Sequence, residues 1–167
     1  MYHRKLITQI PLNRKTHMQD LLKELRRTKI QTLKNFDLPA SELEKTYAPG
    51  KWTVRELLNH IVDAETVLYD RVRRVISSEG RPVIWAFDQD AWCTGLNYKT
   101  FPLKINKSLF LATRAGVEYL VKEQYEQLGT KEFIHSESGL RTLRDEFDKI
   151  AWHNQHHLRQ IEWALEV

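Results

Sequence analysis

Cysteine, glycine, proline and long apolar runs are all scarce in this chain of 167 residues. Cys93 is the single cysteine, which excludes an intramolecular disulfide and a cysteine-based zinc site and favours a reducing compartment. Six Gly and five Pro are few, as in proteins built of long helices with few turns. No stretch of about 18 apolar residues occurs, and none of signal length follows the N-terminus. We therefore expect a cytoplasmic protein with no membrane segment.

The charge pattern argues against a nucleic-acid partner. The net charge is only +4, from 26 basic and 22 acidic residues, and the two signs are interspersed along the chain. Such a pattern is typical of solvated helix faces, whereas nucleic-acid binding concentrates basic residues on one surface. Length and composition predict one soluble domain over residues 1–167, with 1–13 as an N-terminal arm.

Apolar residues spaced three and four apart predict four long helices. Thr53 and Glu56 form a Thr-x-x-Glu capping box directly before an apolar run, and Thr142 is the expected N-cap of the last helix. No sustained alternation indicates a strand, and residues 129–140 are interpreted as a plain connection. The predicted fold is an all-α four-helix bundle, with helices near residues 14–36, 53–78, 104–128 and 142–165.

A long connection, residues 80–102, joins the second and third predicted helices and is rich in aromatic residues. A segment of this kind in a small domain is more often functional than a passive linker. Asp88, Asp90 and Trp92 are its candidate pocket residues. We expect the segment to border the open side of the site described next, as a lid.

Three histidines carry the candidate chemistry. His153 and His157 are four residues apart, so a helix places both on one face, one turn apart. That spacing lets two imidazoles reach one metal ion, and His60, at the edge of the apolar stripe of the second helix, is the best third ligand. Three neutral imidazoles suit a divalent transition metal and leave positions open for water or substrate, as in catalytic sites.

Neighbouring residues are candidates for the surroundings of this site. A histidine ligand usually donates its other ring N–H to an acceptor. Asp63 lies three residues from His60 and Gln160 three residues from His157, so each is a candidate acceptor, and Asp63 is also a possible further ligand. His156 is interpreted as a flanking residue, whereas His3, His17 and His135 are interpreted as surface or loop residues.

Other metal and nucleophile chemistries fit less well. A ferritin-like di-iron site needs Glu-x-x-His on two helices, but the single instance, Glu132 to His135, falls in a predicted connection. No phosphate-binding glycine loop, His-Glu-x-x-His motif or nucleophile elbow occurs. Cys93 lies in the aromatic connection, where a lone cysteine is more often structural than nucleophilic.

Three segments taken together resemble the DinB/YfiT-like superfamily of metal-dependent enzymes. They are Lys51-Trp-Thr-Val-Arg-Glu-Leu-Leu-Asn-His-Ile-Val-Asp-Ala-Glu65, Asp88-Gln-Asp-Ala-Trp92 and Ile150-Ala-Trp-His-Asn-Gln-His-His-Leu-Arg-Gln-Ile161. Each is weak alone, but their order and spacing cover nearly the whole chain. The resemblance implies a four-helix bundle with a long connection between helices two and three, and metal ligands at His60, His153 and His157.

The resemblance also implies a class of reaction. Members hold nickel, zinc or other divalent ions, and some transfer low-molecular-weight thiols such as bacillithiol or mycothiol. We therefore expect one divalent ion, nickel or zinc before iron or manganese, a small-molecule substrate, and thiol S-transferase-like or hydrolase-like chemistry. A homodimer is expected, with no nucleic acid or membrane partner. The alternative is a non-catalytic bundle that binds a small ligand or a protein through the same histidines.

Overall fold

The predicted four-helix bundle is confirmed in the computed structural model, which describes residues 18–166. The predicted arm 1–13 and the expected start of the first helix lie outside the described residues. Two short helices, α2 (Ala40–Leu43) and α4 (Gln89–Gly95), lie in the connections. The bundle consists of α1 (Met18–Asn35), α3 (Val54–Ser77), α5 (Leu103–Leu128) and α6 (Leu143–Glu166).

The start of α3 is held by the capping box that the sequence predicted. The Thr53 hydroxyl accepts the backbone N–H of Glu56 at 3.2 Å, and the Glu56 carboxylate accepts the backbone N–H of Thr53 at 2.7 Å. This reciprocal pair satisfies two N–H groups that a helix start leaves without partners. The apolar residues that follow in α3 all face the core: Leu57, Ile61, Ala64, Leu68, Val72 and Val75.

Two apolar clusters form the core of the bundle. One cluster joins the C-terminal half of α3 to the first turns of α6. The other joins the N-terminal half of α3 to the last turns of α6. His153 and His157 fall on α6 between the residues that contribute to the two clusters. Polar side chains are therefore concentrated in the middle of the bundle.

One buried ion pair ties three helices together. Arg114 on α5 is fully buried and donates two hydrogen bonds to the carboxylate of Glu65 on α3, at 2.5 and 2.8 Å. The same guanidinium donates to the carbonyl of Leu25 at 2.7 Å and to the Thr28 hydroxyl at 3.0 Å, both on α1. A buried charge that lacks partners is costly, so this geometry selects one arrangement of α1, α3 and α5.

A small sheet joins the two connections in which the sequence showed no regular structure. Strands β1 (Val83–Ile84), β2 (Glu132–His135) and β3 (Gly139–Thr142) pair in that order, β1 parallel and β3 antiparallel to β2. The interpretation of 129–140 as a plain connection was wrong, because strands of two to four residues are too short to show an alternating pattern. Thr142 ends β3, and its hydroxyl accepts the backbone N–H of Asp145 at 3.3 Å, as expected of a cap.

The long connection folds back against α3. Asp88 caps α4 by accepting the backbone N–H groups of Asp90 and Ala91, both at 3.0 Å. Asn59 on α3 donates to the Tyr98 carbonyl at 2.7 Å, which anchors the far end of the segment. Among the described residues, no helix combines the length and the apolar character needed to span a bilayer.

Candidate metal centre

Three imidazoles from two helices meet at one point in the bundle. Nε2 of His60 on α3 lies 3.1 Å from Nε2 of His153 on α6, and Nε2 of His157 lies 3.2 Å from the same atom. One nitrogen from each ring lies within 4.8 Å of the other two. His60 is fully buried, His157 is buried and His153 is partly exposed, so the cluster is reached from the α6 side.

The ring of His157 is oriented by an amide. Oε1 of Gln160 lies 2.7 Å from Nδ1 of His157, and Nε2 of Gln160 donates to the Tyr47 hydroxyl at 3.2 Å. Since the amide oxygen only accepts, the proton of the neutral imidazole sits on Nδ1. The lone pair of Nε2 is then directed at the other two rings, which is the orientation that a metal ligand needs.

Burial keeps the imidazoles neutral. It lowers the pKa of His60 and of His153 well below the usual value, and the neighbouring histidines lower both further. Burial also lowers the pKa of His157 to about 4. Neutral imidazole is the form that binds metals, so protons compete with a metal at a lower pH than the 6.5 of a free histidine.

The donor set fits a divalent transition metal. Two nitrogens that share an ion at about 2.1 Å are roughly 3.0–3.4 Å apart, and the observed separations of 3.1 and 3.2 Å match this. One proton can hydrogen-bond two of the rings to each other, whereas one cation satisfies the lone pairs of all three nitrogens. Nδ1 of His60 is buried and has no hydrogen-bond partner among residues 18–166, so no acceptor at Nδ1 fixes the tautomer of this ring.

Asp63 does not occupy the place proposed for it. Its carboxylate accepts the hydroxyl of Tyr98 and makes no hydrogen bond to His60. The pKa of Asp63 is raised, mainly by burial, despite that hydrogen bond. The expectation that it orients His60 or joins the ligands is therefore wrong, since the carboxylate instead ties the long connection to α3.

Aromatic rings enclose His60 in place of a polar acceptor. The ring centroid of Trp52 lies 4.8 Å from that of His60, and Phe87 lies 6.3 Å away on the long connection. Trp92 packs edge-on against Phe87 at 5.1 Å. Trp52 stands within the quoted family-like segment, whereas nothing in the sequence separates Phe87 from the other aromatic residues of its connection.

A cleft of about 460 Å³ opens beside the cluster. His153, His156 and His157 line it on one side, and Phe87 and Asp90 line it from the long connection. The segment 80–102 thus borders the histidines, as a lid would. Asp88 and Trp92, the other two predicted pocket residues, are not among the residues that line the cleft. Asp88 instead caps α4, and Trp92 packs against Phe87.

His156 and His135 differ in their surroundings. His156 is exposed and stacks on Trp152, 5.4 Å between ring centroids, with both residues at the cleft. His135, interpreted from the sequence as a surface or loop residue, is 6% exposed and lines the same cleft from β2. That interpretation was wrong, because the small sheet that buries His135 was not visible in the sequence. His3 and His17 lie outside the described residues.

The chain is similar to several proteins of known sequence. Two from Oceanobacillus iheyensis, both named as inferred metal-dependent hydrolases, are 30% identical over 74% of this chain and 70% of the relative, and 32% identical over 77% and 75%. One from Bacillus cereus, with the same kind of name, is 27% identical over 90% of this chain and 91% of its own.

The fold has a solved counterpart, and the sequence matches a family model. YfiT from Bacillus subtilis, described as a probable metal-dependent hydrolase with an unusual four-helix bundle topology, superimposes with a TM-score of 0.80 at 22% identity. The match covers 95% of this chain and 89% of YfiT, and it shows the shared fold. The model of the DinB superfamily matches residues 21–161, a span that includes all three clustered histidines. The chain therefore belongs to the DinB superfamily.

Proposed function

We propose that this protein is a metal-dependent enzyme in which His60, His153 and His157 hold one divalent ion that activates a nucleophile. The convergence of one nitrogen from each of the three rings within 4.8 Å, next to an open cleft, carries this proposal. When bound, such an ion keeps its full charge among neutral ligands and lowers the pKa of a water or thiol beside it. Nickel or zinc is expected before iron or manganese, as the family resemblance implies, and imidazole ligands suit both nickel and zinc.

The residues of the chain have three tasks in this scheme. The three rings bind the ion. Gln160 keeps the proton of His157 on Nδ1, the nitrogen that faces away from the ion. Trp52 and Phe87 exclude water from His60, which strengthens electrostatic interactions there. The cleft, at about 460 Å³, has the size of sites for small molecules, so a small-molecule substrate is expected.

Hydrolysis, with water as the nucleophile, is the reaction that the names of the relatives support. Thiol transfer, with an external low-molecular-weight thiol, is the second candidate. No cysteine belongs to the cluster, and burial raises the pKa of Cys93, followed in effect by the charges of Glu56 and Asp90. Because Cys93 is thus a poor nucleophile, thiol chemistry here needs a thiol from outside.

Metal analysis tests the proposal. Protein purified without a histidine tag should hold about one equivalent of a divalent ion after loading, and His60→Ala should remove it. His156→Ala is the matched control and should retain the ion, since His156 lies outside the three-nitrogen cluster. Failure to hold metal under any loading condition would contradict the proposal and favour the non-catalytic bundle that binds a ligand or a partner.

Activity assays then separate the two reactions. The loaded enzyme is screened with hydrolysable esters and amides, and separately with electrophiles in the presence of bacillithiol or mycothiol. Turnover that requires the thiol supports transfer, and turnover in its absence supports hydrolysis. A homodimer, which the family resemblance implies, is proposed as the assembly, and light scattering of the loaded protein measures it.

A further inference from the structure

The deep wall of the cleft carries donors that the metal centre does not use. His135 on β2, Arg71 on α3 and Lys149 on α6 all line the cleft from outside the three-histidine cluster. His135 and Arg71 are 6% and 4% exposed. Nε2 of His135 and Nε of Arg71 are buried and have no hydrogen-bond partner among residues 18–166. A buried donor with no partner is costly, so each calls for an acceptor that the chain does not supply.

The tautomer of His135 makes it a donor on this wall. Its Nδ1 accepts the backbone N–H groups of Glu137 and Ser138, at 3.2 and 3.4 Å. The neutral ring must then carry its proton on Nε2. The turn that presents those two N–H groups ends at Gly139, whose φ of +73° is strained for a residue with a side chain. The hairpin is thus shaped to hold His135 as an Nε2–H donor.

Arg71 is fixed just as firmly. One terminal nitrogen donates to the Glu146 carboxylate at 3.3 Å, and the other donates to the Trp85 carbonyl at 2.9 Å. The guanidinium therefore links α3, α6 and the long connection, and its Nε–H is the donor that has no acceptor among the described residues. Lys149, one turn along α6 from Glu146, lines the same cleft, and the charges of Glu146 and Glu137 act on its ammonium group.

The electrostatic field at His135 has the sign that attracts anions. Burial lowers the pKa of His135 to about 4, and the charges of Arg71, Lys149 and Arg141 add to this effect. The buried Glu146 carboxylate pairs with Arg71 and offsets part of its charge. The carboxylates of Asp90 and Glu137 also line the cleft, but both residues are exposed. Water screens charges at an exposed rim more than charges at a buried wall.

We propose that His135, Arg71 and Lys149 form an anion subsite that binds a carboxylate or phosphate group of the substrate beside the metal centre. The assignment of the anion to a substrate rests on the proposed function, whereas the binding of the anion itself does not. The subsite orients one end of a small molecule and leaves its reacting end toward the three histidines. The substrate class is therefore a small molecule with an oxyanion group.

Phosphate binding to metal-stripped protein tests the subsite. Removing the metal with a chelator prevents phosphate from binding at the ion. Inorganic phosphate should then bind saturably by calorimetry, and the ring signals of His135 should shift in nuclear magnetic resonance spectra, with its pKa rising toward the ordinary value. Absence of saturable binding, or binding that leaves His135 unchanged, would overturn the proposal.

Two substitutions of His135 separate its role as an Nε2 donor from its role in holding the turn through Nδ1. His135→Asn keeps a polar atom near Nδ1 for the turn but removes the Nε2 donor, and should weaken phosphate binding about tenfold. His135→Gln restores a donor near Nε2 and should retain most of the affinity. Lys149→Met should also weaken binding about tenfold, while Lys122→Met, an exposed lysine on α5, should have no effect. Wild-type affinity in both His135→Asn and Lys149→Met would refute the assignment.

The outcomes also separate this subsite from the proposed function. Phosphate binding at His135 in a protein that never holds metal would contradict the metal-dependent function and leave the subsite standing. A metal-loaded, active enzyme whose stripped form ignores phosphate would refute the subsite and leave the function standing.

Discussion

Nε2 of His60 lies 3.1 Å from Nε2 of His153, although 93 residues separate the two in the chain. The contact exists because α3 and α6 pack side by side and present these two positions to each other. The fold thus holds the two nitrogens at the separation that two ligands of one cation require. This relationship underlies the first prediction.

Removing His60 should abolish metal binding and activity but leave the bundle folded. His60→Ala deletes one of three ligands and opens a space beside Trp52, while the two apolar clusters stay intact. We expect loss of the bound ion, loss of turnover and an unchanged far-UV spectrum. A variant that keeps one equivalent of metal would exclude His60 as a ligand, and any bound structure should show metal–nitrogen distances of about 2.0–2.2 Å.

Gln160 should tune the affinity for metal through His157. Gln160→Leu removes the acceptor at 2.7 Å from Nδ1, so the ring loses its fixed tautomer, and affinity should fall about 10- to 100-fold. Gln160→Glu keeps an acceptor at that position and should bind at least as tightly as wild type. Competition with a chromophoric chelator measures both, and equal affinities in the two variants would argue against this role.

Cys93 should be dispensable. It lies outside the histidine cluster and the cleft lining, and its raised pKa disfavours the thiolate. Cys93→Ser is therefore expected to keep wild-type turnover under both hydrolysis and thiol-transfer conditions. A large loss of turnover in a folded Cys93→Ser protein would instead point to a protein-borne nucleophile.

Acid should destabilise the metal-free protein. His157 and His135 have a pKa of about 4 in the folded chain, against about 6.5 when unfolded, so the unfolded chain binds more protons between these values. Stability is full above pH 6.5 and declines toward pH 4, by on the order of 2 kcal/mol per histidine at pH 5. Asp148, whose pKa is raised to about 6, has the opposite sign and offsets part of this loss as it gains a proton.

Urea unfolding at pH 7 and pH 5 in the presence of a chelator measures this effect. His135→Asn removes one of the titrating groups and should show a smaller loss between the two pH values. Metal loading should raise stability at pH 7 and do less at low pH, because protons displace the ion. A stability that is flat between pH 7 and pH 5 would contradict the assignment of buried neutral histidines.

The buried ion pair should matter far more than an exposed one. Arg114→Met leaves the Glu65 carboxylate buried without its partner, which should cost about 3–5 kcal/mol in free energy of unfolding. Arg27→Met breaks an exposed pair with Glu24 on α1 and should cost under about 1 kcal/mol. Denaturant unfolding compares the two, and similar losses would refute the structural role given to Arg114.

Local patterns in the sequence predicted part of the fold and of the site. The capping box of Thr53 and Glu56 and the spacing of His153 and His157 are local patterns, set by helix geometry over one or two turns. They placed the helix starts and put two imidazoles on one face before any fold was known. The bounds of α3, α5 and α6 differ from the predicted ones by at most one residue at either end.

Other features depend on contacts between residues distant in the chain, which no local pattern encodes. Asp63 is three residues from His60, yet its carboxylate turns to Tyr98, because the long connection brings a hydroxyl to it. His135 reads as a loop residue until three strands of two to four residues pair around it and bury it at the cleft. The sequence alone determined the four long helices, the starts of α3, α5 and α6, and the pair of histidines on one face. Tertiary packing alone decided which polar groups found partners and which were left facing the cleft, since burial and desolvation arise only when the elements come together.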